Sequence, residues 1–276
     1  MKIGFVTDST ADLPADLVIK HDIRVVPALV NIEGRSYLDG IEISREEYYS
    51  RLPGYKPPPT TSAPSIGDFQ KRYESLLKAG AAHIISIHAA NTLSGIFNAA
   101  RLAAQDFGDR IHVLDSGQLT LGIGFQLLGA VESAARGAIL GEVLEVINSI
   151  RRRVRLVALL DTLEYLRRSG RVSWTRALVG NFLNIKPLLG LRDGIVLRLG
   201  QARTRTQGIL RLKETLHSWG PIEHLAVLHT NAEEAAHKLL SEIRPRSAPV
   251  PLVVNVTTAI GTHVGPNGLG VVAVVA

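Results

Sequence analysis

Short runs of β-branched and aliphatic residues alternate along the chain with longer stretches whose apolar positions recur every three or four residues. "KIGFVTD" (2–8), "IRVVPALVNI" (23–32), "HIISIHA" (83–89) and "RIHVLDS" (110–116) are predicted strands, bounded by polar turns. Amphipathic helices are predicted between them. Ser44 with Glu47, and Ser65 with Asp68, have the spacing of capping boxes ahead of "REEYYSRL" and "IGDFQKRYESLLKAG". "GQLTLGIGFQLLGAVESAARG" (117–137) reads as an unusually apolar helix, and "GEVLEVINSIRRRV" (141–154) as an amphipathic one. Strand–helix alternation of this kind predicts a mainly parallel sheet with helices on its faces.

The pattern then restarts. "RLVALLD" (155–161) is a predicted strand, and "TLEYLRRSGRVSWTRALVGNFL" a helical stretch with a break at Gly170. "IKPLLGLRDGIVLRLG" (185–200) is a hairpin turning at Asp193-Gly194. A helix over "TRTQGILRLKETLHSW", a strand over "EHLAVLHT" and a helix over "NAEEAAHKLLSEIR" follow, and "PLVVNVT" and "GLGVVAVVA" close the sheet. The fold class is α/β. We expect two α/β domains, a three-layer N-terminal one with a mainly parallel sheet (1–154) and a C-terminal one with a mixed sheet and helices (155–276). The ligand is expected between them.

Composition narrows the chemistry. With no cysteine, disulfides, iron–sulfur clusters and thiolate zinc sites are excluded. No apolar run approaches the roughly 18 residues of a membrane-spanning helix, and "MKIGFVTDST" reads as a first strand rather than a signal peptide. A cytoplasmic protein without integral membrane association is expected. Net charge is +6, and its densest cluster is "RRRVR", Arg151 to Arg155. A helix end whose cations complement the dipole explains that cluster. A nucleic-acid surface is the alternative, but aromatics do not interleave with the arginines as a stacking platform needs, and no nucleic-acid partner is expected.

In open α/β sheets ligands sit at the carboxyl ends of strands. Four polar segments fall there or nearby. "TDSTADLP" (7–14) offers Asp8, Ser9 and Thr10, and "ANTLSGIFNAA" (90–100) offers Asn91, Thr92 and Ser94. N-capping explains some of these residues equally well. Ser94-Gly95 opens a helix whose N–H groups favour an anion. "YKPPPTTSAPS" stiffens a loop around Thr61 and Ser62 with prolines. "AIGTHVGPNGLG" (259–270) packs four glycines around His263. No Walker-type loop, dinucleotide GxGxxG, GxSxG elbow or HExxH is present, and the histidines are scattered, so a metalloenzyme or serine-hydrolase reading has no support. His83, His88, His112 and His229 fall in or at the ends of predicted strands and are read as structural. Neutral hydroxyls beside apolar helices suit a carboxylate head group and a hydrocarbon tail, with helix 118–131 as a tunnel wall.

"DSTADLP", "TTSAPS", "LSGIFNAA", "LEYLRRSGRV", "NIKPLL" and "HVGPNGLG" follow one another in the order of the DegV family, which the whole chain resembles. The resemblance implies a two-domain α/β fold that binds a long-chain, palmitate-like fatty acid between the domains. It implies a carrier and not an enzyme, with no cofactor, no metal and no catalytic residue, and with a separate fatty acid kinase as partner. Thr61 and Ser94 would hold the carboxylate, with Ser62 and Gly95 alongside. His263 would lie near the head group, and Arg171 would serve phosphate or partner contact. The sequence departs from the family pattern at Ser169-Gly170-Arg171 and at Asn267. A phosphotransferase subunit acting through His263 and its glycine-rich loop is the alternative.

Overall fold

The computed structural model describes residues 2–177, 185–243 and 250–276. Strands of the first half are β1 (Ile3–Asp8), β2 (Ile23–Val26), β3 (Leu29–Ile32), β4 (Arg35–Leu38), β5 (Thr60–Ser62), β6 (His83–His88) and β7 (Ile111–Asp115). Its helices are α1 (Ala15–Lys20), α2 (Arg45–Arg51), α3 (Ile66–Lys78), α4 (Ile96–Ala104), α5 (Leu121–Ala135) and α6 (Leu140–Arg153). β2, β1, β6 and β7 form a four-stranded sheet in that order, parallel throughout. α3 starts with the full reciprocal capping box of Ser65 and Asp68. At α2 only half of the expected box forms. The Ser44 hydroxyl accepts from the Glu47 N–H, while the Glu47 carboxylate pairs with Arg51 one turn on.

The run 23–32 is not one strand. Pro27 has no N–H for a ladder and biases its predecessor towards extended backbone. The chain leaves the parallel sheet there and re-enters strand geometry as β3, the centre of a small antiparallel sheet ordered β4-β3-β5. This small sheet carries the proline-stiffened hydroxyl loop as a paired strand.

The second half comprises β8 (Val154–Leu159), α7 (Glu164–Ser169), β9 (Lys186–Arg192), β10 (Ile195–Ala202), α8 (Arg205–His217), β11 (Ile222–His229), α9 (Glu233–Ile243), β12 (Leu252–Asn255), α10 (Thr258–Val264) and β13 (Leu269–Val275). The sheet is ordered β10-β9-β8-β13-β11-β12. It is mixed as expected: only the β11–β12 pair is parallel. Asp193 and Gly194 turn the hairpin at φ 48° and 76°, the left-handed pair that a type I′ turn requires. The helical stretch from 162 breaks at Gly170 (φ 67°), followed by a short 3-10 turn, Ser173–Ala177. Its remainder to 183, Asn184 of "NIKPLL" and Arg244 lie outside the described residues.

α5 settles how the two sheets meet. It is apolar nearly all round, as a helix buried on every side must be. Ile123 and Leu127 join the core of the parallel sheet, whereas Leu121 and Phe125 join a cluster with Val272 and Val274 of β13. The helix is therefore a shared layer packed against both sheets.

Candidate ligand-binding site

The carboxyl ends of β1 and β6 face the second sheet across a cavity of about 560 Å³. One part of its wall is polar: Thr61, Ser62, Ser94, Gly95, Arg171 and His263 all border it. Leu156, Ala158, Leu189, Leu191, Val196 and Leu228, from β8 to β11, make an apolar wall, continued by Ile260 and Val264 of α10. α5 contributes nothing to this wall. Only Leu119 and Thr120, just ahead of it, reach the cavity. The expectation that this helix lines the tunnel is corrected: its apolar surface is used up between the sheets, and β-strands supply the lining.

Thr61 owes its position to strand pairing. β5 is registered on β3 with Thr61 opposite Val30 and Ser62 opposite Leu29. Successive strand residues point to opposite faces. Thr61 turns inwards, its Oγ1 lying 2.8 Å from His263 Nε2. Ser62 turns outwards, where its hydroxyl accepts from Asn31 Nδ2 at 2.8 Å. The two residues were expected to present their hydroxyls together; alternation separates them. Ser94 stands two residues before α4, its Oγ accepting from the Ile96 N–H at 3.3 Å in the turn that leads into the helix, and it borders the cavity. Gly95 is the N-cap residue itself.

His263 sits in the last turn of α10, a helix not anticipated within the glycine-rich segment. The start of this helix is gripped by two buried carboxylates. Asp39 accepts from the Thr258 N–H at 3.1 Å, from the Thr258 hydroxyl at 2.5 Å and from the Thr257 hydroxyl. Asp12 accepts from the Thr257 N–H at 2.8 Å and pairs with Arg45 at 3.4 Å. Its other oxygen, buried, has no hydrogen-bond partner. Further along, the Thr262 hydroxyl meets Tyr48 at 2.6 Å. At Gly261 an added Cβ would lie 2.2 Å from the Tyr49 hydroxyl, so only glycine lets α10 come this close to α2. Asn267 holds φ 62°, a conformation that asparagine tolerates, so the departure from glycine leaves the loop intact.

Electrostatics follow from burial. Burial, and then the nearby Arg171 charge, push the His263 imidazole down from 6.5 to about 4. At neutral pH it is an uncharged hydrogen-bonding group. Burial pushes the Asp12 carboxyl up from 3.8 to about 7, with Arg45 and the Thr257 N–H opposing. Arg171 is exposed at the rim, one guanidinium nitrogen donating to the Ser169 carbonyl at 2.8 Å.

A second constellation escaped the sequence reading because its members are 80 residues apart. Ser86 Oγ lies 2.6 Å from His88 Nε2, and His88 Nδ1 lies 2.9 Å from Asp8 Oδ2. The order is that of a hydrolase triad, yet all three side chains are fully buried and Ser86 is also bonded to Tyr73 at 2.9 Å. No substrate reaches this serine. The network ties β1 to β6, and His88 is structural, as expected. Of the arginine cluster, Arg153 pairs with Glu223, and Arg155, at the start of β8, donates to the carbonyls of Arg152 at the end of α6 and of Val154. Among the described residues, no cluster of three His, Asp or Glu side chains is arranged for a metal, and no helix is long and apolar enough to cross a membrane.

The model of the DegV family of uncharacterised proteins matches residues 2–276. The chain belongs to the DegV family. A DegV domain-containing protein of Caldanaerobacter subterraneus subsp. tengcongensis is 34% identical over 276 residues, 98% of each chain. Among solved structures, a DegV-family protein of Thermus thermophilus described for its fatty acid binding is 35% identical over 100% of both chains, with a TM-score of 0.92. DegV of Bacillus subtilis, described as a fatty acid binding protein, is 31% identical over 99% of both chains, with a TM-score of 0.87. The two-domain α/β architecture is thus that of the DegV fold.

Proposed function

We propose that this chain binds one long-chain, palmitate-like fatty acid in the cavity and acts as a carrier without catalysis of its own. The observation that carries the proposal is the Thr61–His263 contact at a polar patch of a mainly apolar cavity. Thr61, Ser94 and the backbone N–H of Gly95 offer hydrogen bonds to a carboxylate, and Arg171 lends positive potential at the rim. The volume falls within the roughly 300–1,000 Å³ of small-molecule sites. Each methylene buried against the leucines contributes about 0.8 kcal/mol, so a dozen give on the order of 10 kcal/mol before ordering losses. The fatty-acid-binding relatives in Thermus and Bacillus support the same assignment.

The finer proposal is that the bound acid is presented to a separate fatty acid kinase. There the carboxylate oxygen attacks the γ-phosphorus of ATP, ADP leaves, and an acyl phosphate remains on the carrier. Neutral His263 and cationic Arg171 flank the place where the phosphate would form.

The deciding experiment is mass spectrometry of an organic extract of the purified, unheated protein. A stoichiometric long-chain fatty acid is the expected result. An extract that stays empty after palmitate and oleate have been offered overturns the proposal. Labelled ATP added without a kinase is expected to leave both lipid and protein unlabelled.

A further inference from the structure

Strand β10 ends the six-stranded sheet, and among the described residues nothing pairs with its outer side. Its ladder bonds go to β9, and among the described residues no loop or side-chain hydrogen bond reaches the backbone of 195–200 from outside. Natural sheets guard such an edge with charge, proline or a covering element. Here the guard is thin. Ile195, Leu197 and Leu199 recur with period two on one face, 60, 39 and 44% exposed, and Leu210 of α8 adds a fourth aliphatic at 53%. A register shift between Arg198 and Gly200 distorts only the far part of the strand.

The charge around this edge is one-sided. Residues 192–217 hold six Lys or Arg against two Asp or Glu, a surplus of four out of the chain's net +6. The arginines nearest the edge bond neutral acceptors. Arg198 donates to Gln201 Oε1 at 2.6 Å, Arg205 to the Asn267 carbonyl at 2.5 Å, and Arg211 to the Gln201 carbonyl. Among the described residues none of these three pairs with a carboxylate, whereas Lys213 pairs with Glu242 at 3.0 Å and Arg192 with Asp193 at 3.9 Å.

We infer that β10 is a docking edge for an extended, acidic segment of a partner protein, which adds to the sheet as a strand along 195–199. Three features select this occupant. Open backbone N–H and C=O groups demand hydrogen bonds that lipid hydrocarbon does not make, but an added strand does. Self-pairing of two copies would bring two basic edges together. Acidic side chains alternating with aliphatic ones would meet the arginines and Leu197 by turns. The opposite face of β10 puts Val196 into the cavity wall, so a docked strand would adjoin the cavity.

The test uses the full chain and a labelled peptide of alternating glutamate and valine, with a lysine–valine peptide as control. Fluorescence anisotropy is expected to show the acidic peptide binding at least about tenfold tighter, an advantage that falls with added salt. Hydrogen exchange is expected to slow at the amides of 195–199 when it binds. Arg198→Glu with Arg211→Glu is expected to reverse the peptide preference while the far-ultraviolet circular dichroism is unchanged. Equal binding of both peptides, or protection confined to other segments, overturns the inference. Should the double variant fail to fold, the two-peptide comparison on the unaltered protein decides alone. Protection of 195–199 by phosphatidylglycerol vesicles but not by the acidic peptide also overturns it and assigns the surface to a membrane.

Discussion

The Thr61 hydroxyl and the His263 imidazole lie 2.8 Å apart across a sequence separation of 202 residues. One comes from a short edge strand and the other from a helix end, so neither half of the chain forms the polar patch alone. Thr61→Val removes the hydroxyl at nearly constant volume. Fatty acid affinity is expected to fall about tenfold, the scale of one lost hydrogen bond in a buried site. Ser62→Ala, whose hydroxyl serves Asn31, is expected to change it less than threefold. Titration with a fluorescent fatty acid measures both, and equal losses would contradict the strand alternation seen at β5.

His263 makes the site acid-sensitive. Its pKa is depressed on folding, from 6.5 to about 4. Between those values the unfolded chain binds a proton that the folded chain does not, so this histidine lowers stability as pH falls from 6.5 towards 4. Urea unfolding across that range is expected to be less steeply pH-dependent in His263→Gln.

Asp12 works in the opposite direction. Its pKa is raised on folding, from 3.8 to about 7, so its contribution is fully present below 3.8 and is lost as pH rises through 7. Asp12→Asn cannot titrate, and the same urea series is expected to lose this decline between pH 4 and 7. A slope that is unchanged would show that Asp12 remains ionised across the range.

The hairpin tip locks onto the loop that leads to Ser94. Thr92 Oγ1 donates to the Gly194 carbonyl at 2.6 Å, and a Cβ at Gly194 would lie 2.6 Å from that same oxygen. Gly194 also holds φ 76°. Gly194→Ala is expected to destabilise by about 1–3 kcal/mol, from left-handed strain and from the clash. Combining it with Thr92→Ala relieves the clash but not the strain. The double variant should therefore be less destabilised than the two single losses added together, a non-additivity that denaturant titration resolves.

Most of the strands and long helices were legible because their apolar periods are strong: β1, β6, β7, α3 and the β9–β10 hairpin fall where the pattern predicts. Misreadings came where one pattern serves two purposes. The run 23–32 looked continuous because β-branched residues flank Pro27, yet the proline moves the chain into a second sheet. α10 was hidden because "TTAIGTHV" mixes β-branched residues with glycine, and packing against Tyr48 and Tyr49 decides its conformation. α5 was recognised as apolar, but apolarity does not say whether a helix faces a cavity or another sheet. The six proposed site residues were gathered around one cavity, although Ser62 turned its hydroxyl away. The clamp of Asp12, Asp39 and Arg45 was invisible because its members are scattered and only the folded chain brings them to Thr257 and Thr258.

Because α5 is clad on both sides, it sets how the protein can be dissected. A fragment ending at residue 154 would carry Leu121 and Phe125 into water, and the complementary fragment would bare Val272 and Val274. Such fragments should be sticky and poorly soluble alone, yet reassociate when mixed. Recombination between relatives would therefore have to exchange this helix together with both of its neighbours, making the chain a single heritable unit despite its two sheets.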